Sequence, residues 1–417
     1  MGEDMTTAGG GLHPGRPVIW PTSKSSATAP TPQSTSSVTA QTAAQQAAKL
    51  APTPKEVAEA QAAVKLLARQ QVARQFNITD LRELLISQGI TDTEANEKLA
   101  TLMLRYGVEV SKNNFSRLLT MMGADPSQTM QEASILLLMK GIDSPVAAKT
   151  LSRFLAENPQ LAAQLLSLKG NISDLLAALT MGGGILDEKL LTQLTAMLAQ
   201  FSEELDNVPG KYKFSGKGSM GRAELAGDLR ALKALLDGVT DKQSLPDTAE
   251  GQLIQSNIQA TSNKLDQMVQ GLISQAMLSK QSSKADVNYA YYQIPNAMVK
   301  PPTTVDLIVK RSDAEGGKKI DPKDTQIIMS FDTENLGRIT VKMVIKDKNV
   351  EFLFNTQNDD IKSVIAGNSK GLASALSEKD FNASKVQVNV NPSMCAIKPF
   401  LIPFLGIEDL MKIDVSA

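Results

Sequence analysis

The chain has 417 residues, with 43 basic and 44 acidic side chains and a net charge of −1. This length predicts two or three domains, and the balanced charge gives no overall attraction to nucleic acid or to a membrane surface. One cysteine and one histidine argue against a disulfide framework, His-dependent catalytic triads and ordinary zinc sites.

The first segment, residues 1–53, is rich in Ser, Thr, Pro, Ala and Gln. Such a composition buries too little apolar surface to offset the entropy lost on ordering, so we predict that this segment is disordered. It lacks the basic start and apolar centre of a secretory signal peptide, and no apolar run in the chain approaches the ~18 residues of a membrane-spanning helix. We therefore expect neither general-pathway secretion nor membrane insertion.

A helical array is predicted over residues 54–205, because apolar residues recur there with a period of 3.6. Glycines stop successive helical runs at the position where a left-handed C-cap favours them: Gly89, Gly107, Gly123 and Gly141. Each is followed by a predicted polar N-cap, and these caps are Thr91 (with Glu94), Ser111, Asp125 and Ser144.

Three of these segments, which begin at Gly89, Gly107 and Gly141, look related in sequence. Pairing two helices gives a repeat of 34 residues, a length typical of arrays of helical hairpins. An irregular helical bundle is the open alternative.

Further along, residues 206–221 are rich in Gly, Lys and Pro and predict a linker, and residues 222–284 predict a further helical segment. Gly182, Gly183 and Gly184 are not followed by the Lys-Ser/Thr pair of a phosphate-binding loop. The chain carries no paired-carboxylate motif in a suitable context, so we predict no catalytic residue, no cofactor and no metal, and a protein that is not an enzyme.

The C-terminal module, residues 285–417, changes to the period of two that is typical of strands. Its clearest part is a predicted hairpin from Phe331 to Asn355, in which Ile339, Val341 and Met343 alternate with polar or charged residues. A helix is predicted from Asp359, then a strand through Val386–Val390, and the apolar tail Ile397–Leu405 is expected to fold back on the module. The predicted architecture is thus a disordered N-terminus, an all-α array and an α+β domain with a mixed sheet and one packed helix.

This order of elements resembles the C-terminal domain of the flagellar hook-length control protein family. The resemblance rests on the following motifs: Tyr292-Gln293-Ile294-Pro295, Leu336–Val341, Val350–Phe354, the helix that carries Ile361, Val364, Ile365, Leu372 and Leu376, and Val386–Val390. It implies a protein that acts through protein–protein contacts and switches type III export from hook to filament substrates. The implied partners are the cytoplasmic domain of the flagellar export-gate switch protein and hook or hook-cap subunits. The implied location is the bacterial cytoplasm, with export through the flagellar apparatus directed by residues 1–53.

Candidate partner-binding residues follow from the matching motifs and from the entrance of the hairpin strand: Asn335, Leu336, Gly337, Arg338, Ile339, Val341 and Leu376. The alternation favours a core position for Ile339, Val341 and Leu376 and an exposed surface for Asn335–Arg338. The alternative function is a helical scaffold or adaptor whose array binds partners that are not flagellar.

Overall fold

The computed structural model describes residues 78–402, except residues 183, 213–219, 243–244, 283–286, 297–298 and 312–319. These described residues belong to one compact unit, residues 68–417. The predicted disordered segment, the start of the helical array at residue 54, and Phe404 and Leu405 of the apolar tail lie outside them.

In this described part of the chain, nine helices precede the sheet. The first five are short: α1 (Ile78–Ser87), α2 (Glu94–Arg105), α3 (Lys112–Met122), α4 (Gln128–Met139) and α5 (Pro145–Glu157). Their apolar faces meet in a core that includes Leu85, Met103, Leu118, Leu136 and Leu151, all withdrawn from solvent. The predicted helical array is confirmed over this range.

Glycines end α1, α2, α3 and α4 as the sequence predicted, and Asn158 ends α5. The four glycines adopt φ between 58° and 66°: Gly89, Gly107, Gly123 and Gly141. At three of the four, the β-branched residue after the glycine donates its N–H over 2.8–2.9 Å to a carbonyl five positions earlier; these residues are Ile90, Val108 and Ile142. This shared closure, in which glycine supplies the left-handed turn, explains the similarity of the three segments.

Helix starts were predicted with mixed success. Ser111 and Ser144 cap α3 and α5, since their hydroxyls accept the N–H groups of Asn114 and Ala147. The caps predicted at Thr91 and Asp125 are wrong by two positions, because Thr93 and Ser127 accept the N–H groups of Asn96 and Met130. Both errors arose where two capping residues stand close together, and Asp125 instead accepts the N–H of Ser127.

Four longer helices follow and form a second core: α6 (Leu161–Met181), α7 (Glu188–Lys211), α8 (Arg222–Lys242) and α9 (Ala249–Leu278). Helix α7 continues past residue 206, where the sequence predicts a linker, and contains Pro209. Leu205, Val208 and Tyr212 are buried at helical spacing, and this packing favours the helix in spite of the hydrogen bond that proline removes. None of the described helices is long and apolar enough to span a membrane.

The six described strands form one sheet in the order of the chain: β1 (Tyr289–Asn296), β2 (Thr303–Lys310), β3 (Asp324–Thr333), β4 (Gly337–Lys346), β5 (Asn349–Thr356) and β6 (Asn382–Val390). Neighbours are antiparallel except β5 and β6, which are parallel. The predicted hairpin is confirmed, with Lys346 paired to Asn349 across a two-residue turn. Asp347 at this turn has φ 54°, a value that aspartate tolerates better than most residues.

Two helices connect β5 to β6, where the sequence predicts one. They are α10 (Asp359–Gly367) and α11 (Ser369–Ser377), and Asn368 separates them. The side-chain amide of Asn368 donates to the carbonyl of Val364 at 2.8 Å and so competes with continuation of the helix. The pair covers a small core made by Ile339, Val341 and neighbouring apolar residues.

The C-terminal strap, residues 392–402, fixes the sheet to the helices. It contains a 3₁₀ turn, Pro392–Met394, and helix α12 (Lys398–Leu401). The hydroxyl of Tyr289 donates to the Leu401 carbonyl at 2.6 Å, and the Lys398 ammonium lies 3.2 Å from the carboxylate of Glu132 in α4. The expectation that the apolar tail folds back is confirmed for Ile397, Leu401 and Ile402, which are buried in the same core as α1–α5.

Lys140 is a second link between the helices and the sheet, and it is almost completely buried. Its ammonium donates to the carbonyls of Val287 at 2.6 Å and Lys280 at 3.0 Å, and it lies 4.4 Å from the centre of the Tyr289 ring. Burial, with smaller effects from the charges of Arg311 and Lys280, lowers the pKa of Lys140 to about 7. The neutral amine is therefore the form that the folded protein favours in mildly alkaline solution.

We expect the stability of the protein to rise with pH above neutrality because of Lys140. Between a folded pKa of about 7 and an unfolded pKa near 10.5, the unfolded chain binds the extra proton, so raising the pH favours the folded state. From pH 7 to 10 the free energy of unfolding should increase, relative to Lys140→Met, by roughly 3 kcal/mol. Urea denaturation of both proteins across this range measures the difference. Lys98→Met, at an exposed site on α2, is the matched control, and parallel pH curves for Lys140→Met and wild type would contradict the expectation.

Candidate functional site

The connection between β3 and β4, residues 334–336, is a compact loop closed by one side chain. The hydroxyl of Thr333 accepts the N–H of Leu336 and donates to the carbonyl of Gly337, both at 2.9 Å. Gly337 has φ 64° and pairs with Thr333 in the sheet. The loop therefore depends on a backbone conformation that glycine adopts without strain.

The seven candidate residues divide between this loop and the core. Asn335 is exposed, and Leu336 is half-buried against the small core under α10 and α11. Ile339 and Val341 are buried in that core, and Leu376 packs on it from α11. Of this set, the loop residues Asn335, Leu336 and Gly337 offer accessible surface together.

Arg338 follows the loop, but its side chain lies over the face of the sheet that is opposite to α10 and α11. Its Nη2 lies 3.3 Å from Asp306 Oδ2 and 3.4 Å from Gln160 Oε1, and its Nε lies 3.7 Å from Asp332 Oδ1. The side chain is one-fifth exposed. Because Gln160 stands at the start of α6, Arg338 connects the loop to strands β2 and β3 and to the second helical core.

Asp306, which sequence reasoning did not single out, lies at the centre of these contacts. Its carboxylate is fully buried and accepts the hydroxyl of Tyr291 at 2.7 Å and the amide of Gln293 at 3.1 Å. Burial raises the pKa of Asp306, and these hydrogen bonds and the Arg338 charge oppose that rise. One signal was available: Asp306 is the only charged residue within the apolar run Val305–Val309.

Asp306 belongs to a row of buried polar side chains that crosses five strands. The strand register places these residues side by side: Gln293, Asp306, Ser330, Thr340 and Asn355. Ser330 and Thr340 donate to the Cys395 carbonyl of the strap at 2.8 and 2.7 Å. The amide of Asn355 finds no hydrogen-bond partner among the described residues. The row joins the sheet to the strap with polar contacts that require one particular register.

The polar row and the single cysteine are buried and do not face solvent. Apart from the Asn355 amide, the side chains of the row form hydrogen bonds within their own chain, and the single cysteine, Cys395, is buried with a thiol pKa raised chiefly by burial. Within the described ranges, no group of three or more His, Cys, Asp or Glu side chains could hold a metal ion. What the sheet presents to solvent is the β3–β4 loop, the outer surface of α10 and α11, and the edge strand β6.

Comparison with known proteins adds one match. A family model described as flagellar hook-length control protein FliK matches residues 314–394, about a fifth of the chain. The matched range contains β3, the loop, β4, β5, α10, α11 and β6, which agrees with the resemblance read from the sequence. No curated protein and no solved structure matches the chain. The match supports a role in flagellar hook-length control.

Proposed function

We propose that this chain controls the length of the flagellar hook by switching the substrate specificity of the type III export apparatus. The observation that carries the proposal is the family match, which covers the continuous unit from β3 to β6. The protein acts through contacts of its C-terminal sheet domain and not by catalysis.

The partner proposed for the switch is the cytoplasmic domain of the flagellar export-gate switch protein. The β3–β4 loop is the proposed contact, because Asn335, Leu336 and Gly337 lie at an exposed strand entrance while the neighbouring strands are rigidly paired. Arg338 acts in this proposal as a positioning residue, since its guanidinium ties the base of the loop to Asp306.

We further propose that the chain is exported. The chain is made in the bacterial cytoplasm and leaves through the flagellar type III apparatus, where it meets hook or hook-cap subunits. Residues 1–53 are proposed as the export signal, supported by their Ser/Thr/Pro/Ala/Gln composition and by the lack of a secretory signal pattern. Detection of the full chain in the culture medium, and its loss on deletion of residues 1–53, checks this part.

Deletion of the gene tests the central proposal. In the deletion strain we expect hooks of uncontrolled length without filaments, seen by electron microscopy of isolated hook–basal bodies. Expression of the full chain from a plasmid should restore a narrow distribution of hook length and motility. Hooks of normal length bearing filaments in the deletion strain would contradict the proposal.

A further inference from the structure

The two outer strands of the sheet differ in how their free edges are covered. At β1, side chains of α9 and the residue after it satisfy the outward backbone: Ser279 Oγ accepts the N–H of Tyr291 at 2.9 Å, and Gln275 Oε1 accepts that of Gln293 at 3.2 Å. At β6, no strand of the described chain lies beyond. As far as the described residues go, the sheet therefore has one closed edge and one open edge.

The open edge offers a regular row of backbone groups. The N–H of Asn391 donates to the Thr356 carbonyl in β5 at 3.0 Å. Along a strand, the backbone N–H and carbonyl groups of successive residues point alternately to its two sides. The N–H and carbonyl groups of Val386, Val388 and Val390 therefore point away from β5. A register shift interrupts the pairing near Ser384, but the chain from Lys385 to Val390 pairs regularly and contains no proline.

The side chains beside this edge are apolar on one face of the sheet and polar on the other. On the helix-covered face, Val386 and Val388 are half-buried, and Val390 is 38% exposed. On the opposite face the exposed residues are Lys385, Gln387 and Asn389. Lys385 is the one charged residue of β6. A strand added here would match best if its apolar residues alternated with polar ones and an acidic residue faced Lys385.

We propose that the edge of β6 binds an extended segment of the partner protein by strand addition. This inference rests on the proposed function, so the partner is the cytoplasmic domain of the export-gate switch protein. Main-chain hydrogen bonds to residues 386–390 provide the affinity, and the valine face together with Lys385 provides the specificity. Proteins usually protect long edge strands from pairing, and among the described residues the protection of β6 is limited to one bulge and one lysine. The small contact predicts weak, reversible binding, as a switch requires.

Hydrogen exchange measured by NMR on the full chain tests the geometry. In the free protein, the amides of Val386, Val388 and Val390 should exchange rapidly, while those of Gln387, Asn389 and Asn391 are protected by β5. Addition of the partner's cytoplasmic domain should slow exchange at the first three amides at least tenfold and leave the other three unchanged.

Two variants test the two sources of binding. Val388→Pro removes an outward N–H, which makes no bond to β5, and should weaken binding more than tenfold. Lys385→Glu leaves the backbone intact and should weaken binding about tenfold, equivalent to about 1.4 kcal/mol. Lys112→Glu, at the exposed start of α3, is the matched control and should bind like wild type. Urea midpoints equal to that of the wild type establish that each variant is folded.

Three results would overturn the proposal. If the partner binds with unchanged affinity to folded Val388→Pro and Lys385→Glu, it docks elsewhere, and the proposed function survives without this edge. If wild type shows no binding, both the edge and the proposed partner are wrong. If the three outward amides are already protected in the free chain, the edge is covered before the partner arrives. Protection that grows with protein concentration then identifies a second copy as the cover, and protection that does not identifies a segment of the chain itself.

Discussion

Gly337→Val is expected to give a folded protein that no longer limits hook growth. Gly337 has φ 64°, and a residue with a Cβ in the left-handed region costs roughly 1–2 kcal/mol. A Cβ there would also lie 2.8 Å from the side-chain oxygen of Gln357, which is exposed and can move aside. The strain is therefore relieved locally, in the loop that we propose as the partner contact, while β4 keeps its pairing. The expected phenotype is overlong hooks without filaments.

Electron microscopy of hooks from a strain that carries only Gly337→Val measures this result. Gly337→Asn is the matched control, because asparagine tolerates positive φ better than valine does; it should keep hook length closer to wild type. Western blots should show equal amounts of the proteins. Normal hooks and motility with Gly337→Val would remove the loop from the proposed contact.

The second large effect is expected at Asp306. Asp306→Ala leaves the hydroxyl of Tyr291, the amide of Gln293 and the guanidinium of Arg338 without their shared acceptor. Breaking a buried charge pair in this way costs about 3–5 kcal/mol. Urea denaturation should show the loss, and Asp332→Ala, which removes a longer 3.7 Å contact to the same arginine, should cost far less. Equal losses in the two variants would show that Asp306 is not the centre of the network.

The free energy of unfolding should also depend on pH through the ionisation of Asp306. Comparison of the wild type with Asp306→Asn should reveal this dependence. Because burial raises the pKa of the folded state above the ordinary value of 3.8, the folded protein holds this proton to higher pH than the unfolded chain does. The stability that Asp306 contributes therefore falls as pH rises from about 3.8 through the folded pKa. The stability difference between wild type and Asp306→Asn should narrow over that range, as measured by denaturation from pH 4 to 7. A stability difference between the two proteins that grows as the pH rises would contradict this expectation.

The sequence predicted elements whose causes are local. The alternation in β4 and β5 and the glycine stops of the short helices depend on residues within a few positions of each other. The division at Asn368 was harder to predict, although the glycines at 367 and 371 stand on either side of it and glycine weakens a helix. Helix α7 extends beyond its predicted end. The burial of Val208 and Tyr212 stabilises this turn of the helix by more than Pro209 destabilises it.

The centre of the candidate site could not be predicted because it depends on strand register. Arg338 and Asp306 are 32 positions apart in sequence, and they meet only because β2, β3 and β4 pair in the observed alignment. A shift of one residue in the register of any one of these strands would carry its member of the polar row to the other face. Single-sequence patterns placed Arg338 near the exposed loop but carried no information on where its guanidinium points.

The C-terminal strap has a consequence for the order in which the protein folds. Lys398 lies 266 positions after its partner Glu132, and the strap is synthesised after every other described residue. Ile397 and Leu401 belong to the core shared by α1–α5 and the sheet, so this core lacks two of its apolar side chains until the strap emerges from the ribosome. Such long-range closure is slow relative to helix formation. We therefore expect the helices of the nascent chain to stay partly assembled until the strap is available to pack against them.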